Sequence, residues 1–528
     1  MCTNKYYPDL LNYKNAIVLS FLLILLLCFG IRILPYLTHQ YKFEVGYDTG
    51  IYEYLVEKFT TSESYPISPG YPPLAEHEIK TVTWFMEPGF FNVVALTNKL
   101  MGLDTQRLFR YFLPFLASLF SLSILYLMVK RLSQTRIKET FLLAGVLFAF
   151  SYLQYNAINE SYYKQIFGIL ILLLYVYSLD MFLDTGNKRF LYPLILFGSI
   201  LIAYHRPETF LLALILGIYF IAKIFTRHYR TALLLLLAGI GIAAISSVIW
   251  IPRLDAEITV LKDSLSMTIS PRTPGGATPH LYQDYDNIML AYFLRTPLIP
   301  LFGVIGLILV HRQKLTSPFI TLLYVLFVLI IFQFIFYNRF LMVLDIVLLP
   351  FTAIGVRCAI RDKSRAVGII TIALIIVIML SSAFSFQYNK KPYVWRNEEG
   401  IEWIKQNIPK ENSVIFAPDY ISVILKSQGY RVGFYDDSLT DKQVHSQVRN
   451  EQILVEGYNP DTILKYYDLS RINAYFVWGS WDETHPLPLV NKKIPSEKYH
   501  LSNQVERIYE GRHEIRFIYR LKEPAEGQ

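Results

Sequence analysis

The chain has 528 residues, of which 53% are hydrophobic and only 17% charged, against about 25% charged in soluble globular chains. Its 50 Lys+Arg and 42 Asp+Glu leave a formal net charge of +8. This composition excludes an ordinary water-soluble enzyme. The excess base lies in the apolar part, flanking hydrophobic runs, so nucleic acid is discounted as a partner.

The first apolar run, Ala16 to Leu34, exceeds a signal-peptide core in length and no small-residue cleavage pattern follows it, so it reads as a lasting membrane anchor. Further candidate spans are 107–129, 140–157, 161–183, 190–205, 206–226, 231–251, 289–310, 317–337, 340–356 and 366–386, with the first span at 15–36. Each approaches the 17 to 25 residues that a bilayer demands. Basic clusters such as Lys130/Arg131/Arg136/Lys138 and Arg357/Arg361/Lys363/Arg365 sit in short connections and mark the cytoplasmic side. Pro88 to Leu103, with Asn92, Asn98 and Lys99, reads as a helix on the outer surface rather than a span.

The expected architecture is an all-α polytopic membrane bundle of about eleven transmembrane helices. It has a long first outer loop, residues 37 to 106, with surface helices, and a small C-terminal α/β exterior domain. Residues 1–387 form the membrane domain and 388–528 the exterior domain, in an integral plasma-membrane protein whose N-terminus is cytoplasmic and whose tail is extracytoplasmic. The tail carries a helical stretch at Asn397 to Gln406 and strand-like runs at Ser413 to Phe416, Ala474 to Trp478 and Ile515 to Tyr519. The chain's 3 cysteines, Cys2, Cys28 and Cys358, all lie outside the tail and give neither a disulfide framework nor a Cys-based metal site.

Ionisable residues gather at the outer span ends, where they are costly unless they face a shared polar site. Asp48, between two glycines in GYDTGIYEYL, suits a general base; it equally suits an N-cap for the helix Ile51 to Phe59. Glu87 precedes Pro88 and also satisfies the helix dipole. His205 and Arg206, in YHRPETF, could grip a phosphate, or Arg206 could pair with Glu208 or snorkel to headgroups. Arg339, in YNRFLMVLDIVLLP, binds phosphate or anchors its helix. Glu160, in INESYYKQ, could join Asp48 around a divalent metal or cap a helix. Arg110, His280, Asp284 and Asp286 are weaker candidates.

This arrangement resembles the glycosyltransferase-C superfamily, most closely its protein O-mannosyltransferase and lipid A aminoarabinose-transferase branch. Asp48 matches the catalytic aspartate of the first outer loop. EPGFFNVVALTNKLMGLDTQRLFRYFLPFL (Glu87 to Leu116) is similar to the family's order of acid-proline, surface helix, glycine turn and Arg-containing second span. His205/Arg206 and Arg339/Phe340 look like its later basic positions. Thr49 stands where many members have a second acid, Gly89 replaces the second residue of a proline pair, and WGSWDE (Trp478 to Glu483) does not match the oligosaccharyltransferase acceptor motif.

The resemblance implies sugar transfer from a polyprenyl-phosphate donor to a hydroxyl on a lipid, glycan or protein at the outer face. In that reaction Asp48 is the base, Glu87 orients the acceptor, and Arg206, His205 and Arg339 hold the phosphate, with Glu160, Arg110 and Glu208 as accessories. Neither the residues nor the resemblance fixes a cofactor, and a divalent metal is one that the carboxylates could hold. The rival reading is a transporter or flippase of lipid-linked sugars, which calls for charged or broken-helix sites near the midplane, Asp345 being the clearest such residue.

Overall fold

The computed structural model describes residues 10–39, 49–61, 88–133, 136–159, 161–251, 254, 258, 292, 296–313, 315–332, 334, 337–361, 368, 369, 372, 373, 375–377, 398–417, 419–432, 471–479, 505–511 and 515–522. They fall into two compact units. The first comprises Met1–His39 and Arg110–Asn389, the second Gln40–Phe109 and Lys390–Gln528. The first long loop, grouped with the spans on sequence grounds, thus clusters with the tail.

The first unit is a helical bundle: α1 (Leu10–His39), α4 (Leu113–Leu132), α5 (Ile137–Ala149), α6 (Tyr152–Asn159), α7 (Tyr163–Thr185), α8 (Leu191–Tyr204), α9 (Arg206–Phe225), α10 (Tyr229–Trp250), α11 (Leu298–Arg312), α12 (Pro318–Ile331) and α13 (Tyr337–Arg361). Among the described residues, Thr105–Leu132, Tyr163–Thr185, Arg206–Phe225, Tyr229–Trp250 and Arg339–Ile360 are each long and apolar enough to cross a membrane. The expected span 140–157 is instead a broken pair, α5 and α6, bent by 55°. The bend lies at Phe150 and Ser151. Most of the expected span 366–386 lies outside the described residues.

Helix α13 is the spine of this unit, packing against α11, α12, α4 and both halves of the broken pair. Two glycines permit its closest approach. A Cβ at Gly306 would lie 1.8 Å from the Phe351 carbonyl oxygen, and one at Gly355 only 2.2 Å from that of Phe302. Across the same seam the Thr352 hydroxyl donates to the Ile299 carbonyl at 2.8 Å. Such small-residue contacts suit helix pairs in lipid, where hydrocarbon offers no hydrophobic drive for association.

The second unit contains α2 (Thr49–Thr61), α3 (Pro88–Met101), α14 (Glu398–Asn407), β1 (Ser413–Phe416), α15 (Asp419–Ser427), β2 (Asn473–Gly479), β3 (Val505–Glu510) and β4 (Ile515–Leu521). The sheet order is β1-β2-β4-β3, with β1 parallel to β2 and the other pairs antiparallel. One face packs Ile415, Val477 and Ile518 with Ile401 and Ile404 of α14 and Ile421 and Leu425 of α15. The surface helices predicted in the first loop are present: α3 starts on Pro88, whose missing N–H costs nothing at that position. Tyr52 and Phe59 of α2 stack against Phe90 and Phe91 of α3. Helix α2 also packs on α15, so loop and tail share one unit.

Candidate functional site

The bundle has two chemically different ends. At the end formed by the C-termini of α4, α7 and α13, Arg131 Nε donates to Asp180 Oδ2 at 2.6 Å and its Nη1 to Asp184 at 3.0 Å. Ser317, capping α12, donates to the same Asp180 at 3.2 Å. Arg357 Nη1 donates to Thr140 at 2.8 Å and Ser133 at 3.2 Å. These cations have protein partners that tie helices together, as expected of polar groups buried in a membrane bundle.

The opposite end is built from the starts of α7, α9 and α13. Ser161 adopts φ +59°, a left-handed turn that reverses the chain between α6 and α7. Tyr163, Lys164 and Gln165 follow it and are buried. Gln165 then holds Arg339 twice: its Nε2 donates to the Arg339 carbonyl at 2.8 Å, and Arg339 Nη1 donates to its Oε1 at 3.3 Å. The guanidinium also lies 5.2 Å from the Tyr162 ring centre, and the neighbouring Phe340 stacks on Phe210 of α9. Among the described residues, the other N–H groups of Arg339 bond to no side chain or carbonyl.

His205 lies between α8 and α9 in an extended conformation, where Pro207 opens α9 without needing a hydrogen-bond acceptor. Its Nδ1 meets Glu208 Oε2, so the carboxylate takes the imidazole rather than Arg206 as its partner. Both side chains are buried, Glu208 completely, and Glu208 Oε1 has no hydrogen-bond partner. Among the described residues His205 Nε2 bonds to none, which leaves it as the ring's open atom. Gly168 makes room for the pair, since a Cβ there would lie 2.9 Å from the His205 Cβ and 3.3 Å from Glu208 Oε2. Gln165 and Gly168 are about 4.5 Å apart along α7 at 1.5 Å per residue, so the His205–Glu208 and Arg339–Gln165 pairs meet neighbouring turns of one helix.

Of the residues singled out from sequence, His205, Glu208 and Arg339 are therefore brought to one bundle end, with half-buried Arg206 beside them. Arg110, at the start of the Thr105–Leu132 span and so at the end opposite Arg131, lies 5.8 Å from the Tyr36 ring centre near the end of α1. Asp48, Glu87, Glu160, His280, Asp284 and Asp286 lie outside the described residues. No group of three or more His, Cys, Asp or Glu side chains capable of holding a metal occurs among the described residues.

Sequence reasoning passed over several participants. Gln165, Tyr162 and Gly168 carry no charge and gave no signal by hydropathy. Arg32 did carry one, as a cation inside an apolar run. It is 1% exposed, donates Nη1 to the Cys28 carbonyl of its own helix at 3.0 Å, and lies 4.5 Å over the Phe148 ring. Asp345 is wholly buried and saturated: Ser151 Oγ and Gln154 Nε2 donate to Oδ2 at 2.7 and 3.1 Å, and the Tyr292 hydroxyl to Oδ1 at 3.0 Å. It pins the break between α5 and α6.

No protein-family model matches this chain, and no curated protein matches it in sequence. Solved structures match it in fold. ArnT from Cupriavidus metallidurans bound to undecaprenyl phosphate matches with a TM-score of 0.54 at 11% identity, covering 97% of this chain and 99% of that one. The oligosaccharyltransferase AglB from Archaeoglobus fulgidus, in complex with an inhibitory peptide and a dolichol-phosphate, matches with a TM-score of 0.54 at 11% identity, over 88% of this chain and 70% of that one.

Proposed function

Because the chain has the glycosyltransferase-C fold of these two proteins, we propose that it is a membrane glycosyltransferase. It moves a sugar from a polyprenyl-phosphate-linked donor to a hydroxyl acceptor on a lipid, glycan or protein at the outer face of the membrane. The observation that carries this reading is the cationic bundle end, where α7, α9 and α13 present Arg339 and the open nitrogen of His205 on adjoining turns. An anion fits those donors, and a lipid phosphate is the anion that reaches such a place from the bilayer.

In this reading Arg339, Arg206 and His205 hold the donor phosphate and stabilise the charge that develops as it leaves, through interactions strongest in a water-poor site. Gln165 positions Arg339 by two hydrogen bonds, donating to its backbone carbonyl and accepting from its fork. Asp48 deprotonates the acceptor hydroxyl for attack at the anomeric carbon, and Glu87 orients the acceptor or holds Asp48. Glu160 and Arg110 are accessories. Asp48 and Glu160 are hard oxygen donors that would hold a divalent ion, and no step above depends on one. The cytoplasmic N-terminus, the exterior tail and the division at 387/388 belong to the same proposal.

The test uses purified protein in proteoliposomes with undecaprenyl-phosphate-linked sugars. Asp48→Asn should retain undecaprenyl phosphate binding and lose about 100-fold or more of sugar release, the scale of a lost general base. An Asp48→Asn variant with undiminished turnover removes Asp48 from the chemistry.

A further inference from the structure

Holding a phosphate by charge alone gives Glu208 no task, since an anion beside the phosphate site weakens the grip. Yet this carboxylate is wholly buried, with one oxygen on His205 Nδ1 and the other unpartnered. A desolvated carboxylate is costly unless it is compensated. The imidazole is its compensating group among the described residues. The backbone is also shaped for the pair, with Pro207 starting the helix and Gly168 clearing space that any Cβ would fill. A carboxylate on Nδ1 keeps that nitrogen protonated and leaves proton exchange to Nε2, the ring atom that stands open.

We infer that Glu208 is the positioning residue for His205, and that His205 is the general acid of the transfer, delivering its Nε2 proton to the departing lipid phosphate. This rests on the donor-lipid reading above. The donor is a phosphodiester with a single negative charge. When the bond from the anomeric carbon to the phosphate oxygen breaks, its electron pair stays on that oxygen. Unprotonated, the product would be a dianion in an apolar bundle. The Nε2 proton makes it a monoanion, while the acceptor oxygen, having lost its proton to Asp48, forms the new bond to carbon. Asp48 then gives its proton up to bulk water and Nε2 takes one from it, which restores the starting state. Glu208 stays a carboxylate throughout and stabilises the imidazolium that precedes transfer. Arg206 of α9 and Arg339 of α13 hold the phosphate by charge, and Lys164 of α7 is buried at the same end.

The test compares wild type, His205→Gln, Glu208→Met and the double variant as full-length protein in detergent. It measures undecaprenyl phosphate binding, thermal melting and the His205 ring signals of [15N]histidine-labelled protein, identified by their loss in His205→Gln. We expect the neutral wild-type ring to carry its proton on Nδ1 and the Glu208→Met ring to carry it on Nε2. Each single variant should weaken undecaprenyl phosphate binding about tenfold or more, as loss of a charge-assisted hydrogen bond does. The double variant should bind within about twofold of the weaker single, because the pair acts as one unit.

Removing one partner of a buried pair is destabilising whereas replacing both is often neutral, so Glu208→Met should melt earlier than the double variant. If it melts too early to be assayed, Glu208→Gln is read by binding alone and must show the same loss. Unchanged undecaprenyl phosphate binding in the Glu208 variants, or a ring that keeps Nδ1–H without the carboxylate, overturns the inference. A wild type that does not bind undecaprenyl phosphate, yet shows the tautomer switch, removes the donor-lipid reading and with it the proton's destination. The pairing of Glu208 with His205 would then stand alone.

Discussion

Arg339 differs from Arg131 at the other bundle end in what surrounds it. Arg131 meets two carboxylates, whereas among the described residues Arg339 meets a neutral amide and an aromatic ring, and its positive charge has no carboxylate partner among them. An uncancelled cation at membrane depth is expensive and marks a functional position. We therefore expect Arg339→Gln to weaken undecaprenyl phosphate binding about 10- to 100-fold while Arg131→Gln mainly lowers the melting temperature, both read on the same detergent-solubilised protein. Sequence reasoning reached His205, Arg206, Glu208 and Arg339 because charged letters stand out in apolar text. It could not assign their partners, and the pairing of Glu208 with His205 rather than Arg206 depends on how the chain turns at Pro207. Gly168 makes a sharper test. Gly168→Ala places a methyl 2.9 Å from the His205 Cβ, and should cost about 1–3 kcal/mol by overpacking along with most of the undecaprenyl phosphate binding.

At the level of elements, the predicted spans coincide with helices wherever they are described, apart from the one at 140–157. Its hydropathy falls after Phe150, where Ser151, Gln154 and Asn156 interrupt the apolar run, but a sliding window does not say that the chain bends there. What holds the bend is Asp345, almost two hundred residues away in the chain, with three donors converging on its carboxylate. The same saturation argues against Asp345 as an open transport site. Asp345→Leu strands those donors in an apolar interior and should destabilise the bundle by about 3 kcal/mol or more, seen as an early melting transition, with Asp345→Asn milder. Helices α11 and α13 depend on Gly306 and Gly355 in another way. Gly306→Ala forces a methyl onto the Phe351 carbonyl, and the helices must part at a cost of about 1–3 kcal/mol or above, measurable in the same melt. In the tail, the helix at 398–407 and strands β1, β2 and β4 were legible, while β3 was not. Val505–Glu510 alternates poorly, with glutamates at the second and last positions of VERIYE, and is a strand because β4 pairs with it.

For the whole molecule, the charge asymmetry along the chain carries a testable topology. With Cys2, Cys28 and Cys358 replaced by serine, Lys138→Cys should react with a membrane-impermeant maleimide only after the membrane is opened. Lys405→Cys in the tail should react in sealed cells. Labelling in the reverse order would invert the orientation. Composition and hydropathy by themselves determined that this chain is a many-helix membrane protein with a small α/β tail, because burial in lipid imposes a residue-by-residue requirement that any window of sequence displays. The motifs further named the charged residues of the candidate site. Only the tertiary structure decided which of them meet, that the first loop joins the tail's unit, and that neutral Gln165 and Gly168 build the cationic end. Those outcomes depend on contacts between distant segments, and a contact is a property of two places in the chain at once.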